Sequence, residues 1–499
     1  MTDIVRVTAT DGSRLEFVNE IQGSGGMKDV YFSPDRSYVV AWYRERQPDV
    51  AKDRLMTIAG SYRERIFTQE GGDYWRNIFC WPTRVVEHDG RLGVASPFFQ
   101  SRFFFQYGSR NGDFARIKGK EKQGKWFASA MHHNRTLDPR ERGTWRDYLE
   151  ICLRLSQAVH RLHAAGLAHS DLSYKNVLLD PPSGEVCLID LDSLVVPGKF
   201  PPDVVGTPDF IAPEALATHR LPMTDPRRKL PSIMTDRHAL AVLIYLYLLY
   251  RHPLRGGKVH SLDPQRDEFL SMGERALFIE HPTDVSNRPN LAAVAPWSLP
   301  WSDVGKTPYA VCGKGIKALF DRAFVEGLHG PERRPTADEW KIGLLAALDL
   351  TQRCENPNCD QKWFVEDDSF RAICPFCGTP LSGARPSLHL YSAQNGTFVP
   401  ENRRLATYDG RCLYAWHVNR RVIFDEKLTE DEKKPVGRIA CEQGRWLFVN
   451  ERLPRLKDVT SGRDRSVPPG GAAELASGVH LLLDETEGGR LALVQMARM

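Results

Sequence analysis

Between Arg14 and about Phe105 the apolar residues come in short runs separated by polar ones: Leu15 to Val18, Val30 to Phe32, Tyr38 to Trp42 and Leu92 to Ala95. Runs of this kind predict β-strands, because successive side chains of a strand point to opposite faces. One stretch, about Asp53 to Phe67, is helical in pattern, so this part predicts a small sheet carrying one helix. From Trp145 the period changes. Tyr148, Ile151, Leu155, Ala158, Val159 and Leu162 recur at steps of three and four, the stripe of an amphipathic helix, and helical patterning continues to about Leu350. Between the two regions Ser109 to Arg142 is polar, basic and glycine-rich, which predicts a long loop with short helical pieces. Beyond Arg385 short β-like runs return, among them Leu413 to His417, Arg421 to Phe424, Trp446 to Val449 and Val479 to Leu483. Turn-forming Gly, Pro, Asn and Asp separate them, so a small all-β module is expected there.

The length of 499 residues exceeds one ordinary core and predicts roughly two to four domains. With 41% hydrophobic and 26% charged residues the composition is that of a globular protein, which excludes wholesale disorder. A formal charge of +4 over this length implies neither nucleic acid nor an anionic membrane as partner. Met1 to Phe17 alternates polar and apolar residues without a basic segment and apolar core, so no signal peptide is expected and the expected location is cytoplasmic. The longest near-continuous apolar stretch, Ala239 to Tyr250, is shorter than the ~20 residues that span a bilayer and reads as a buried helix.

Of the ten cysteines, six are scattered and four form two close pairs, Cys354 with Cys359 and Cys374 with Cys377, with fourteen residues between the pairs. Without a secretion signal this favours reduced thiols and one metal site over a disulfide framework. Four thiolates at this spacing suit a structural Zn2+, because they fill a tetrahedral shell and leave no position for a catalytic water.

Five strings carry the chemistry, in this order: AHSDLSYKNVLLD from Ala168, VCLIDLD from Val186, GTPDFIAPE from Gly206, TDRHALAV from Thr235 and RRPT from Arg333. Together they resemble the protein kinase superfamily, serine/threonine type, over roughly Arg14 to Leu350. Phosphoryl transfer needs a group at the attacking hydroxyl, metal ions on the phosphates and positive charge against the developing anion. By this resemblance Asp171 is the catalytic-loop aspartate, Asn176 and Asp190 hold Mg2+, and ATP is the phosphoryl donor. Asp192 competes with Asp190 as the metal ligand. Thr207 is expected to touch Asp171, Glu214 to pair with Arg334, and Asp236 to bond the catalytic-loop backbone from below.

Several positions depart from the family pattern. The phosphate-covering loop reads Gly23, Ser24, Gly25, Gly26, and its glycines let backbone amides approach phosphate oxygens. The next strand carries Tyr43 where the family carries lysine, which taken alone implies a pseudokinase scaffold. Lys28 stands where the "with no lysine" kinases supply theirs and is expected to be the phosphate lysine, with Glu64, or behind it Glu70, as its helix partner. Ser170 and Ser173 replace the usual arginine and lysine of the catalytic loop, and between Asp190 and Glu214 the only hydroxyl residues are Ser193 and Thr207. A segment with no arginine reader and so little to phosphorylate is expected to assemble without a phosphate switch.

The expected architecture is α+β: a bilobal protein-kinase-like fold over 1–350, with an N-lobe to about 105 and a C-lobe from about 106. A zinc ribbon-like segment with four cysteine ligands follows over 351–384, and a β-rich module over 385–499. This order resembles bacterial kinases associated with tellurium resistance and stress response, with a TerY-C-like zinc-binding domain. That resemblance implies a von Willebrand factor A type protein and a metal-dependent protein phosphatase as partners, besides a protein substrate.

Overall fold

The computed structural model of the protein describes residues 3–24, 27–196, 198–200, 206–222, 224–367, 373–394, 396–462 and 464–496. The chain divides into two units. The first holds Met1–Gly143, Glu150–Tyr309 and Ala318–Lys341; the second holds Thr144–Leu149, Ala310–Lys317 and Ile342–Met499.

The first unit opens with an antiparallel hairpin of β1 (Ile4–Thr8) and β2 (Arg14–Val18). A five-stranded antiparallel sheet follows, built from β3 (Gly23–Ser24), β4 (Lys28–Phe32), β5 (Tyr38–Tyr43), β6 (Arg84–His88) and β7 (Arg91–Pro97) in the order β3-β4-β5-β7-β6. The period-two pattern of β5 explains how both faces are covered. Val40 and Trp42 pack with Val7, Leu15, Phe17 and Val86 on one face, while Tyr43 packs with Leu55, Val85 and Val94 on the other. Leu55 belongs to the helical stretch read from sequence, which begins earlier than expected: α1 (Asp49–Thr57) continues through a π-turn into α2 (Arg63–Phe67). A further helix, α3 (Gly72–Ile78), escaped the sequence reading.

The polar segment after the sheet contains only short pieces, including α4 (Arg110–Asp113). Helix α5 (Trp145–Ala164) then buries Ile151, Leu155, Ala158, Val159 and Leu162, the predicted stripe. A hairpin of β8 (Val177–Asp180) and β9 (Glu185–Leu188) follows, then α6 (Pro213–Thr218) and α7 (Ile233–Leu249). Every residue of α7 from Ala239 to Leu249 is buried, so its apolar run serves the interior. Among the described residues no helix is long and apolar enough to cross a membrane. Helices α8 (Pro264–Met272), α9 (Lys314–Asp321) and α10 (Ala337–Asp349) complete the helical part.

In the second unit β10 (Thr351–Arg353) pairs with β11 (Trp363–Val365) beside the cysteine pairs. Beyond them lie β12 (Pro386–Gln394), β13 (Thr397–Ala406), β14 (Cys412–Leu413), α11 (Ala415–Val418), β15 (Gly437–Glu442), β16 (Arg445–Asn450), β17 (Lys457–Asp458), β18 (Arg465–Ser466), β19 (Ala472–Glu474), β20 (His480–Leu482) and β21 (Arg490–Met496). They form two antiparallel sheets, β13-β12-β21-β20-β17-β18 and β14-β15-β16-β19. One core that includes Leu388, Leu405, Ile439, Phe448, Leu481 and Val494 joins their inner faces.

Two expected strands are absent. Leu413 to His417 is mostly α11, because the Tyr414 N–H donates to His417 Nδ1 at 3.0 Å and closes a helical turn. Arg421 to Phe424 is a turn, since the side chain of Asn419 accepts the Arg421 N–H at 2.9 Å and bends the chain there.

Candidate functional site

The segment from His169 to Asn176 is suspended from α7. Buried Asp236 accepts the backbone N–H of His169 at 2.7 Å and of Ser170 at 3.3 Å, and its Oδ2 lies 3.1 Å from His163 Nε2. These bonds hold Ser170 at a φ of 66°, the left-handed region that a non-glycine residue enters only under constraint. Asp236 thus has the role expected of it.

The next residue, Asp171, is held from two directions. Its Oδ1 accepts the N–H of Thr207 at 2.7 Å and the Thr207 hydroxyl at 2.9 Å. Asn176 Nδ2 donates to the Asp171 carbonyl at 2.8 Å and to Oδ2 at 3.0 Å. The contact of Thr207 with Asp171 is the one the sequence led us to expect. The hydroxyl of buried Ser173 lies 3.3 Å from Thr207 Oγ1. Below this loop Arg334 meets Glu214 with two parallel hydrogen bonds of 2.8 and 2.7 Å, the bidentate geometry that distinguishes arginine from lysine.

Asp190 follows β9 with a φ of 58°, and its side chain is 54% exposed. A single 3₁₀ turn, Leu191–Ser193, comes next, anchored by buried Leu191 and Leu194. It turns Asp192 inward, where 4% of the side chain remains exposed. Asp192 is not in the left-handed region, so its backbone does not call for a glycine.

Lys28 reaches this turn from β4. Its ammonium lies 2.7 and 2.8 Å from the two carboxylate oxygens of Asp192 and 3.4 Å from Asp190 Oδ1. Burial disfavours the charged lysine, but the charges of Asp192 and Asp190 outweigh it and raise its pKa. Burial likewise pushes Asp192 up, and Lys28 together with the Tyr43 hydroxyl brings it below the usual carboxylate range. Tyr43 donates to Asp192 Oδ2 at 2.6 Å.

One sequence expectation fails. Glu64 and Glu70 are both exposed, and the carboxylates that reach Lys28 come from the 190–192 turn instead. The reason is direction: α2 turns Ile66 and Phe67 to the interior, which leaves Glu64 on the outer face. Sequence reasoning also missed Tyr43 as a contributor. The usable signal was strand register, because Tyr43 pairs directly with Lys28.

Of the glycines, Gly23 pairs with Val30 in the sheet, while Gly25 and Gly26 lie outside the described residues. Mg2+ is a hard cation that takes oxygen donors. Exposed Asp190 and the side-chain carbonyl of Asn176, which has no hydrogen-bond partner among the described residues, fit that requirement.

In the second unit Cys354, Cys359, Cys374 and Cys377 bring four sulfur atoms within 4.8 Å of one another, with Cys354 and Cys377 3.5 Å apart. Tetrahedral Zn–S bonding places sulfurs roughly 3.8 Å apart. The first three are buried with Phe364 and Leu381, and Cys377 is exposed. All four are free thiols rather than disulfides, so the group can hold a metal ion.

Residues 126–292, which carry Asp171, Asn176 and Asp190, match the family model described as protein kinase domain. With it goes a protein kinase-like α+β fold. Similar curated proteins are serine/threonine kinases: PknD of Chlamydia muridarum, 28% identical over 29% of this chain and 17% of that protein, and serine/threonine-protein kinase 17A of Oryctolagus cuniculus, 26% identical over 26% and 30%. The chain thus spans less than a third of the length of either relative. Solved structures that match include the kinase domain of a Toxoplasma gondii rhoptry antigen, at 15% identity, TM-score 0.39, over 69% of this chain and 87% of that one. Another is a Toxoplasma gondii virulence factor described as having a protein-kinase fold and no enzymatic activity, at 16% identity, TM-score 0.38, over 70% and 86%.

Proposed function

We propose that this chain is an ATP- and Mg2+-dependent serine/threonine protein kinase. The observation that carries the reading is the Asp171 carboxylate, oriented through one oxygen by Thr207 and through the other by Asn176. A carboxylate fixed in this way can accept or orient the proton of a substrate hydroxyl. Lys28 supplies positive charge toward the phosphates, and Gly23 belongs to the sequence that would cover them. Asp190 and Asn176 are the residues to hold Mg2+, which when bound neutralises phosphate charge.

The four cysteines would hold one structural Zn2+, and the C-terminal region would recruit protein partners. The tellurium-resistance resemblance adds a von Willebrand factor A type protein and a metal-dependent phosphatase as candidates for co-purification. The second reading is a pseudokinase scaffold, favoured by one observation: a tyrosine stands at the strand position of the usual lysine. Transfer of labelled γ-phosphate to a generic protein substrate separates the two. Wild type should be active, Asp171→Ala should not, and Lys28→Ala should be strongly reduced; equal signal in all three would end the enzyme reading.

A further inference from the structure

The Lys28 ammonium has two carboxylate neighbours, and they are not equivalent. Asp190 offers one oxygen at 3.4 Å from a half-exposed side chain. Asp192 offers both oxygens, at 2.7 and 2.8 Å, from a side chain that is almost wholly buried. Attraction strengthens with shorter distance and lower local dielectric, so Asp192 dominates the position of the ammonium. The Asp192 carboxylate is fixed in turn. Tyr43 donates its hydroxyl to Oδ2, and Leu191 and Leu194 bury the turn on either side. Tyr43 and Lys28 are register partners on β5 and β4, so their side chains lie on the same face of the sheet and converge on one acid.

We propose that Asp192, locked by the Tyr43 hydroxyl, is the positioning residue that aims Lys28 at the nucleotide phosphates, in place of a helix carboxylate. The inference rests on the kinase reading. It assigns separate tasks to two acids two residues apart: Asp190 stays open for a cation while Asp192 is consumed by the lysine. It also makes the charge arrangement independent of the α1–α2 helix, because lysine, tyrosine and acid all come from the sheet and the 190–192 turn.

Register suggests a direct test, since a lysine at position 43 has about the reach of the tyrosine it replaces and would meet the same carboxylate. Turnover is measured in the full chain for wild type, Lys28→Ala, Asp192→Asn, their combination, Tyr43→Phe, and Lys28→Ala with Tyr43→Lys. Asp192→Asn should lower kcat about 100-fold, the scale of losing one preorganised charge contact. Combined with Lys28→Ala it should cost nothing beyond Lys28→Ala alone, because it acts through that lysine. Tyr43→Phe, which keeps the packing of the ring, should lower kcat about tenfold, the scale of one hydrogen bond to a charged group. Lys28→Ala with Tyr43→Lys should recover at least tenfold over Lys28→Ala, and lose that recovery when Asp192→Asn is added. Rescue also covers the case in which Asp192→Asn fails to fold, since it keeps the acid. An active wild type with an equally active Asp192→Asn would overturn the positioning role alone, as would a loss from Asp192→Asn that persists undiminished without Lys28. A wild type with no Asp171-dependent transfer would overturn the kinase reading, and this inference with it.

Discussion

Lys28 and Tyr43 stand opposite each other on adjacent strands, and both grip the carboxylate of Asp192, 164 and 149 residues further along the chain. The tyrosine that looks in sequence like the loss of a catalytic lysine is therefore part of the arrangement that receives a lysine from the neighbouring strand. This relationship turns the proposed activity into measurable expectations.

Removing the Asp171 carboxylate should lower kcat by about 10²- to 10⁴-fold, the usual contribution of a positioned general base. Thr207→Val should cost less, because Asp171 Oδ1 keeps the backbone N–H of residue 207 when the hydroxyl is removed. Steady-state kinetics with a peptide substrate would check both, and a Thr207→Val enzyme as inactive as Asp171→Ala would contradict this ranking.

Ser193→Ala should retain activity within about threefold, since the hydroxyl makes one local bond, to the Asp190 carbonyl at 3.1 Å, on the scale of about 1 kcal/mol or less. Ser193 is the only hydroxyl residue between Asp190 and Thr207, so an inactive Ser193→Ala enzyme that carries phosphate there in wild type would reveal a switch.

Arg334→Ala should destabilise the first unit by about 3–5 kcal/mol, the cost of leaving a paired, buried charge without its partner. Arg334 is fully buried, and besides Glu214 it donates to the carbonyls of Gly327, Leu328 and Met234. Arg334→Lys should also destabilise, because an ammonium cannot reproduce the fork. Denaturant titration of the three proteins would decide; equal midpoints would refute it.

Elemental analysis should find one zinc per chain, and Cys359→Ser or Cys374→Ser should abolish it. Because structural zinc contributes folding energy, a strong chelator should lower the melting temperature of wild type and leave that of the serine variants unchanged. Zinc content unaffected by either substitution would place the metal elsewhere.

Acid should weaken the second unit between pH 6.5 and about 4. Burial, against the pull of Asp349, lowers the pKa of His417 from 6.5 to about 4. The geometry gives the reason: Nε2 lies 3.0 Å from Asp349 Oδ1, and Nδ1 already accepts the Tyr414 N–H, so an added proton has no acceptor to face. In this window the unfolded histidine is protonated and the folded one is not, so the unfolded state holds more protons and stability falls as pH falls. The loss is on the order of 3 kcal/mol at its full extent. Asp349 adds a second loss below about pH 4, because His417, Arg403 and Arg411 outweigh burial and hold its carboxyl down to about 2. Melting curves of wild type and His417→Gln at pH 7.5, 6 and 4.5 would test this, with a shallower pH dependence expected in the variant.

Much of the site was legible because its chemistry uses residue types at fixed spacing along one loop. Asp171 and Asn176 are five residues apart, and their mutual bonding follows from a single turn of chain. The stripe of α5 and the apolar run of α7 were legible for a similar reason, since helical periodicity is local. The failures are also physical. Leu413 to His417 has strand-like composition, but the Tyr414 N–H donates to the His417 side chain and closes a helical turn. Glu64 sits on the right helix, yet the rotation of that helix turns it to solvent.

The sequence alone determined the order of Asp171, Asn176 and Asp190 along the chain, and the spacing of four cysteines in two close pairs. Only the tertiary structure decided what holds Lys28. Its partners come from strand register and from a turn distant in the chain, and a contact between distant segments depends on which side chains are buried together, a property that no local spacing encodes.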